Sequence, residues 1–422
     1  MTTSRAKATL RELATPESAE CEALREMMLY CVDGFPTYRR MFDAEGIPRD
    51  EILAGDPLEL LHQLPTLESG DVQSLSTEAL SSVDSIVDTE TSSGTAGGRK
   101  IRFITHEDNL AEHEFLAKLL AIAGVSQRDR VACVDTDPAA VMVSFPWACE
   151  LLGTAESYCV STGVDFEETL PLLKRLQPNV MISVPSIIQR LLEDGSAIPF
   201  GSISRVIYIG EGMTEKTRTR IAEGFGAEVH SYYGTSEASA IGIECSAHDG
   251  VHLMSSRHLL ELDTSGSQGS VGELIVTTLE QRGLPLLRYR VGDLVRLREE
   301  RCACGLEDPR VDILGRSEPF ASILGSKIHH GGLLTSLNAA GMEGPLQVVL
   351  TNEGRTEVVT LRLSEANIDR VDSMRHSVLA EHTDIEFLCS SGFLEVRFEF
   401  RPLPVLLATR KSDVLIDLRE SN

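Results

Sequence analysis

Between residues 131 and 235, short β-rich apolar runs alternate with stretches whose apolar residues recur at helical spacing. The runs are VACVDTD, VMISV, RVIYIG and EVHSYYG, and between two of them SIIQRLLED sets Ile187, Ile188, Leu191 and Leu192 on one helical face. This order commits the region to a sheet of parallel strands covered by helices. Ligand sites of such α/β sheets lie in the loops beyond the carboxyl ends of the strands, so functional residues are expected there.

The texture differs on either side. Residues 1 to 85 mix helical periodicity with acidic turns, as in LRELATPESAECEALREMMLYCV. Beyond about residue 250, GELIVTTL and LVRLRE read as strands joined by turns, an antiparallel β portion. After Arg316 come LQVVLTNE, EVVTLRL, a helical SEANIDRVDSMRHSVLAEH, DIEFLC and LEVRFEF. They suit a small α+β unit of about a hundred residues, large enough for its own core. The expected architecture is α/β: a large N-terminal domain, 1–315, with mixed α/β sheets and an antiparallel β portion, and a small α+β C-terminal domain, 316–422. The boundary falls in Gly315-Arg316-Ser317-Glu318-Pro319.

Composition removes several function classes. Lys and Arg number 39 against 64 Asp and Glu, a formal charge of −25. Nucleic acid and anionic lipid need clustered cations, so neither is an expected partner. No apolar run approaches the roughly 18 residues of a membrane span, and the amino terminus has no hydrophobic signal core. Nine cysteines scattered along the chain read as reduced thiols, some of them metal ligands, in a cytoplasmic protein.

Three segments could carry chemistry. From Thr91 to Lys100 hydroxyls and glycines alternate before two basic residues, a bend that could turn backbone N–H groups toward a phosphate; a flexible polar linker would read the same. No Gly-Lys-Ser/Thr ends it, which disfavours a P-loop nucleotidase. Ser231 to Glu237 follows a strand and ends in a carboxylate able to hold Mg²⁺ on a nucleotide, or equally a solvated loop residue. In LRYRVGDL, Asp293 sits between apolar neighbours, suited either to the two hydroxyls of a ribose or to a Gly-Asp turn.

Taken together and in this order, these segments resemble the adenylate-forming superfamily, and most of all its phenylacetate–CoA ligase-like branch. SSGTAGG is similar to that family's SSGTTGK, IGEGMT to GAEPW, YYGTSE to YGLSE, LPLLRYRVGDLVRL to MPLLRYRTRDLTRL, DILGRSEPF to RILGRSDDM and RKSDVLIDLR to GKAKRVIDLR. The resemblance implies that Ser92, Ser93, Gly94, Thr95 and Gly97 cradle the ATP phosphates and that Gly210, Glu211 and Gly212 line the adenine pocket. It implies that Tyr233, Gly234, Thr235 and Ser236 close that pocket, that Glu237 helps hold Mg²⁺, that Asp293 binds the ribose and that Arg316 lies at the hinge. Lys411 falls on the lysine that bridges carboxylate and α-phosphate, where an ammonium offsets the repulsion between two anions. The chain departs from the family at Gly98-Arg99, Glu318-Pro319, Ile328-His329-His330 and Arg410.

Cys302-Ala303-Cys304 and the segment Cys245 to His252 offer thiolates and imidazoles for a closed tetrahedral zinc site, although reduced thiols without metal are the plain alternative. Some members of the similar branch carry structural zinc between these two loops. On that resemblance the ligands are Cys245, His252, Cys302 and Cys304, with His248 as substitute for His252. The apolar loop 137–147 aligns with the region that faces the acyl group, and His230 and Tyr232 could add polar contacts there.

The implied activity is Mg-ATP-dependent conversion of a carboxylic acid, aromatic by preference, to its acyl adenylate, then transfer to a thiol such as coenzyme A. A carrier-protein thiol or an amine is the alternative acceptor. A non-catalytic nucleotide- or acid-binding descendant is the alternative of another class. A homodimer is among the assemblies the reading admits.

Overall fold

The computed structural model describes residues 10–13, 18–91, 100–135, 144–162, 166–194, 202–213, 215–264, 270–316, 320–323, 326–354, 356–401 and 415–419. β1 (Leu10–Glu12) precedes five helices: α1 (Ser18–Gly34), α2 (Pro36–Glu45), α3 (Arg49–Ala54), α4 (Pro57–Gln63) and α5 (Ser69–Ser82). A hairpin of β2 (Ile86–Thr91) and β3 (Ile101–Thr105) leads into α6 (His106–Ile122). Thr105 and Asp108 form a reciprocal capping box at the start of α6, satisfying donors that the first helical turn would otherwise leave unpaired.

Strand and helix then alternate: β4 (Arg130–Asp135), α7 (Ser144–Leu152), β5 (Glu156–Ser161), α8 (Phe166–Leu176), β6 (Val180–Ser183), α9 (Pro185–Asp194), β7 (Arg205–Tyr208), α10 (Glu215–Phe225) and β8 (Glu228–Thr235). Ile187, Ile188 and Leu191 of α9 are fully buried, as their spacing requires, and Leu192 packs at the margin of the same core. Each such side chain removed from water contributes roughly 1.5–3 kcal/mol. An antiparallel series follows: β9 (Ser239–Glu244), β10 (Val251–Leu253), β11 (His258–Asp263), β12 (Val271–Thr278), β13 (Tyr289–Arg298) and β14 (Arg310–Arg316).

Both series join in one twelve-stranded sheet of order β1-β11-β12-β13-β14-β10-β9-β8-β7-β6-β4-β5. β8 is the joint. Its first half, Glu228 to Ser231, runs parallel to β7, and its second half, Tyr232 to Thr235, pairs antiparallel with β9.

After β14 come the hairpin β15 (Phe320–Ile323) and β16 (Ser326–His329), then α11 (His330–Ala339), β17 (Gln347–Glu353), β18 (Thr356–Leu363), a 3₁₀ segment Glu365–Arg370, α12 (Val371–Glu381), α13 (Thr383–Ser390), β19 (Leu394–Phe400) and β20 (Leu415–Asp417). Four of these strands form a second sheet, β19-β18-β17-β20. The segment DIEFLC, short enough to suit a strand, lies within α13.

One apolar core runs through the parallel half of the large sheet and onto the C-terminal strands. A second packs the N-terminal helices against the antiparallel half. No helix among the described residues is long and apolar enough to cross a membrane, and all nine cysteines are free thiols.

Candidate active site and cysteine–histidine cluster

The site is assembled where β8 changes partners. Gly234 is closely packed: a Cβ there would come 2.6 Å from the Ser239 carbonyl oxygen, closer than packing allows. Thr235 Oγ1 accepts from the Ala238 N–H at 3.0 Å, closing the turn that presents Glu237. The Glu237 carboxylate is buried and accepts from Lys100 Nζ at 2.7 Å and from the Tyr289 hydroxyl at 3.2 Å. Lys100 Nζ also donates to the Tyr289 oxygen at 3.0 Å, and Gln281 Nε2 donates to the Glu237 carbonyl at 2.7 Å.

Lys100 is the residue at which the chain leaves the serine-glycine bend. β2 and β3 bracket that bend, with Thr91 opposite Ile101. The hairpin is itself braced against α6, because buried Arg102 donates to Glu112 at 2.8 Å. Burial alone would raise the Glu112 carboxyl, but the Arg102 guanidinium holds it below the usual range. The structure thus brings the exit of the bend against Glu237. Ser92, Ser93, Gly94, Thr95 and Gly97 themselves lie outside the described residues, as do Lys411, the hinge residues 317–319 and loop residues 137–143.

β13 alternates buried and part-exposed residues, which puts Tyr289 and Asp293 on its buried face four residues apart. The Tyr233 hydroxyl donates to Asp293 Oδ2 at 2.7 Å. Asp293 also stands directly across from Arg316 in the β13–β14 register, so the backbone of the expected hinge residue is adjacent to the expected ribose ligand. Thr91, Lys100, residues 233–237, Asp293 and the backbone of Arg316, distant in sequence, converge on one end of the sheet. Ser236 lies in the same turn as Glu237.

Gly210 takes a left-handed φ of 74° after β7, and Glu211 follows it. The Glu211 carboxylate accepts from the Ser186 N–H at 3.0 Å and the Ser186 hydroxyl at 2.9 Å. That carboxylate therefore caps the start of α9, a favourable place for negative charge. Gly212 continues the same loop, and the Glu211 carboxylate is engaged at the helix start.

Near the expected acyl side, Phe145 packs edge-on against Tyr232 with ring centroids 5.5 Å apart. Exposed Trp147 stacks on His113 at 6.1 Å and 12°. His230 is fully buried beside His248. The sequence reading missed Lys100 as the partner of Glu237, and it missed Tyr289 and Gln281. Tyr289 stood inside the LRYRVGDL segment; Gln281 carried no signal.

Three thiols and an imidazole meet at the other end of β9 and β10. Cys245, His252, Cys302 and Cys304 place one ligand atom each within 4.8 Å of one another. Cys245 Sγ lies 3.6 Å from Cys302 Sγ, and Cys304 Sγ 3.4 Å from His252 Nε2. A tetrahedral ion with Zn–S near 2.3 Å and Zn–N near 2.0 Å needs ligand separations of roughly 3.5–3.8 Å, so the donor set fits zinc in kind and spacing. Burial pushes the metal-free Cys245 thiol up to about 12. Burial also acts to raise Cys302, but hydrogen bonds from Cys304 and Cys245 and the charge of Arg310 bring that thiol below its ordinary value. His252, not His248, joins the thiols.

A doubly wound half-sheet fused to an antiparallel half, with Lys100, at the exit of the hydroxyl- and glycine-rich segment, held to buried Glu237 and with Tyr233 bonded to Asp293, defines the class of adenylate-forming ligases. The family model for the AMP-binding enzyme matches residues 8–278, and the chain belongs to that family, in its phenylacetate–CoA ligase-like branch. It is 28% identical to the phenylacetate-coenzyme A ligase of Thermus thermophilus over 368 residues, 81% of this chain and 80% of that protein. The Escherichia coli phenylacetate-coenzyme A ligase is 26% identical over 298 residues, 67% of each chain. Among solved structures, 2-hydroxyisobutyryl-CoA ligase with 2-HIB-AMP and CoA in its thioesterification state covers 100% of this chain and 94% of its own at TM-score 0.73 and 19% identity. The same ligase in its postadenylation state gives 0.62.

Proposed function

We propose that this enzyme activates a carboxylic acid with ATP and transfers the acyl group to the thiol of coenzyme A, and that the acid is aromatic. In the first step a carboxylate oxygen forms a bond to the α-phosphorus while the bond to the β-phosphate bridging oxygen breaks, releasing pyrophosphate. In the second a thiolate attacks the acyl carbonyl carbon and AMP leaves. The observation that carries this reading is the 2.7 Å contact between Lys100, at the exit of the bend, and Glu237.

On this reading Ser92, Ser93, Gly94, Thr95 and Gly97 bind the triphosphate, and the 210–212 backbone faces adenine. Tyr233, Gly234, Thr235 and Ser236 close the pocket, Asp293 accepts from the ribose hydroxyls, and Arg316 lies beside them. Glu237 holds Mg²⁺, which supplies charge neutralisation at the phosphates. Lys411 offsets the repulsion between the two reacting anions. Residues 1–315 form the ATP- and acid-binding domain and 316–422 a mobile domain that carries Lys411 in and out. The likeness to a ligase in its thioesterification state supports coenzyme A as the acceptor over an amine or a carrier protein. Zinc bound by Cys245, His252, Cys302 and Cys304 is structural, since four protein ligands leave no position for substrate. The free thiols support a reducing, cytoplasmic setting.

Acid-dependent exchange of labelled pyrophosphate into ATP, run over a panel of aryl acids with and without coenzyme A, tests the reading. Exchange with an aryl acid, abolished in Lys411→Ala, and thioester formation on adding coenzyme A are expected. ATP binding without exchange for any acid would instead establish a non-catalytic binding protein.

A further inference from the structure

Outside the active site and the thiol cluster, Glu228, His230 and His248 bring one carboxylate oxygen and two ring nitrogens within 4.8 Å of one another. Glu228 and His230 are two apart on β8 and so share a face; His248 comes from the turn after β9. His230 is completely buried, and its Nε2 has no hydrogen-bond partner. Its Nδ1 lies 3.1 Å from the Glu244 carbonyl oxygen. A carbonyl only accepts, so Nδ1 carries the proton and the lone pair sits on Nε2. That lone pair faces Glu228 Oε2 at 3.6 Å. An imidazole fixed by a carbonyl at one nitrogen and left with a bare lone pair at the other is the usual arrangement of a histidine that ligates a metal.

Three cationic or acidic groups adjoin the cluster. Arg205 Nη2 donates at 3.4 Å to Glu228 Oε2, the same oxygen that faces His230, leaving Oε1 of that carboxylate as a further donor to an ion. Arg218 Nη2 contacts the Val229 carbonyl, Glu244 Oε2 at 2.6 Å and His248 Nδ1 at 3.0 Å. One guanidinium nitrogen has two hydrogens, so of three acceptors the most distant, His248 Nδ1, is surplus to it. Glu244 neutralises Arg218 and also stands 3.8 Å from His248 Nδ1, so an ion held at that nitrogen would displace the Arg218 contact.

We propose that Glu228, His230 and His248 form a second metal site, taking a divalent ion of the zinc, cobalt or nickel kind. Two imidazoles and a carboxylate are the donors such ions prefer, and nitrogen and oxygen ligands at about 2.1 Å stand roughly 3.4 Å apart, close to the 3.6 Å found. Three protein ligands leave open positions for water, which the part-exposed Glu228 and His248 admit. The site lies at the start of β8, while the catalytic turn follows its end. It thereby ties β8 to the 246–250 turn between Cys245 and His252.

The full-length enzyme, stripped with EDTA and titrated with Co²⁺, tests this by optical absorption. Cobalt on the cysteines gives an intense thiolate charge-transfer band, whereas cobalt on His and Glu gives weak ligand-field bands alone. The wild type is expected to bind, besides the equivalent that gives the thiolate band, one Co²⁺ per chain that adds only ligand-field bands. Its affinity should fall at least about tenfold in Glu228→Gln and in His248→Ala, with the thiolate band unchanged in Glu228→Gln. Both substituted positions are solvent-reaching, so the variants fold. Absence of a thiolate-free equivalent, or equal affinity in wild type and Glu228→Gln, would overturn the proposal.

Discussion

Replacing Lys100 with Met removes an ammonium 2.7 Å from the Glu237 carboxylate while keeping most of the side chain's length. Both side chains are about nine-tenths buried, at 10% exposure each, so water cannot replace the lost partner. Two charges some 4 Å apart at an effective dielectric of about 20 attract by roughly 4 kcal/mol. Stranding one member of a buried pair costs about 3–5 kcal/mol. Lys100→Met should therefore destabilise the large domain by about 3–4 kcal/mol, read from urea unfolding. Glu237→Gln should cost less, since the Tyr289 hydroxyl still meets Lys100 at 3.0 Å. The double variant Lys100→Met/Glu237→Gln leaves no stranded charge and should be more stable than the two single costs predict, by roughly 2 kcal/mol or more. Pyrophosphate exchange should fall in every variant, because the exit of the bend is no longer fixed against the turn that carries Glu237. If the single costs add to within about 0.5 kcal/mol, the pair is not coupled and the argument from it to the site fails.

Asp293→Ala removes the acceptor of the Tyr233 hydroxyl and of the proposed ribose hydrogen bonds; kcat/KM for ATP in the exchange assay should drop about 10–100-fold, whereas an unchanged value would detach Asp293 from the nucleotide. Chelation of zinc, or Cys302→Ser, should lower the unfolding midpoint and abolish exchange together; a midpoint that does not move with EDTA would show that the cluster binds no structural ion. Burial, with Arg257 beside it, holds His258 down to about 3, while the unfolded residue titrates near 6.5. Below pH 6.5 the unfolded chain takes up a proton that the folded one refuses, so this residue removes about 2 kcal/mol of stability by pH 5. His258→Gln should flatten that slope in urea unfolding at pH 7 and pH 5, and an unaltered slope would assign the acid sensitivity elsewhere.

The parallel half of the sheet was legible because its strands are buried on both faces and its helices on one. Burial on both faces leaves unbroken apolar runs such as VMIS of β6, and burial on one leaves the Ile187, Ile188 and Leu191 stripe. β5 was not legible. It lies at the sheet edge, its sequence ESYCVS is largely exposed, and nothing in that pattern demands a strand. The β2–β3 hairpin escaped for a related reason: β2, IVDTET, has no buried residue, and only pairing with β3 holds it. The candidate site segments stood out through residue types suited to phosphate and ribose. Their convergence did not, because it depends on β8 changing partners and on the register that sets Asp293 opposite Arg316. Glu211 shows the opposite limit, since a carboxylate in a segment expected to line adenine turns out to hold a helix start.

β8 also explains why groups so far apart on the sheet belong to one machine. Adenylation needs its phosphate, ribose and metal ligands held to about half an ångström, and strands hold such positions better than loops. Among the described residues, those proposed for these roles sit on β8, β13 and the turn before β9, strands whose other ends carry the thiol cluster and the Glu228–His230–His248 cluster. β10 lies between β9 and β14, and its His252 pairs with Ile243 on one side and Arg310 on the other. An ion bound by His252, Cys245, Cys302 and Cys304 would lock β9, β10 and the β13–β14 turn into a single register. A slip of one residue in that register would turn every side chain of the slipped strand to its opposite face and carry Asp293 away from Tyr233. Metal at the far end of the sheet would therefore act on catalysis through strand register, without touching a substrate.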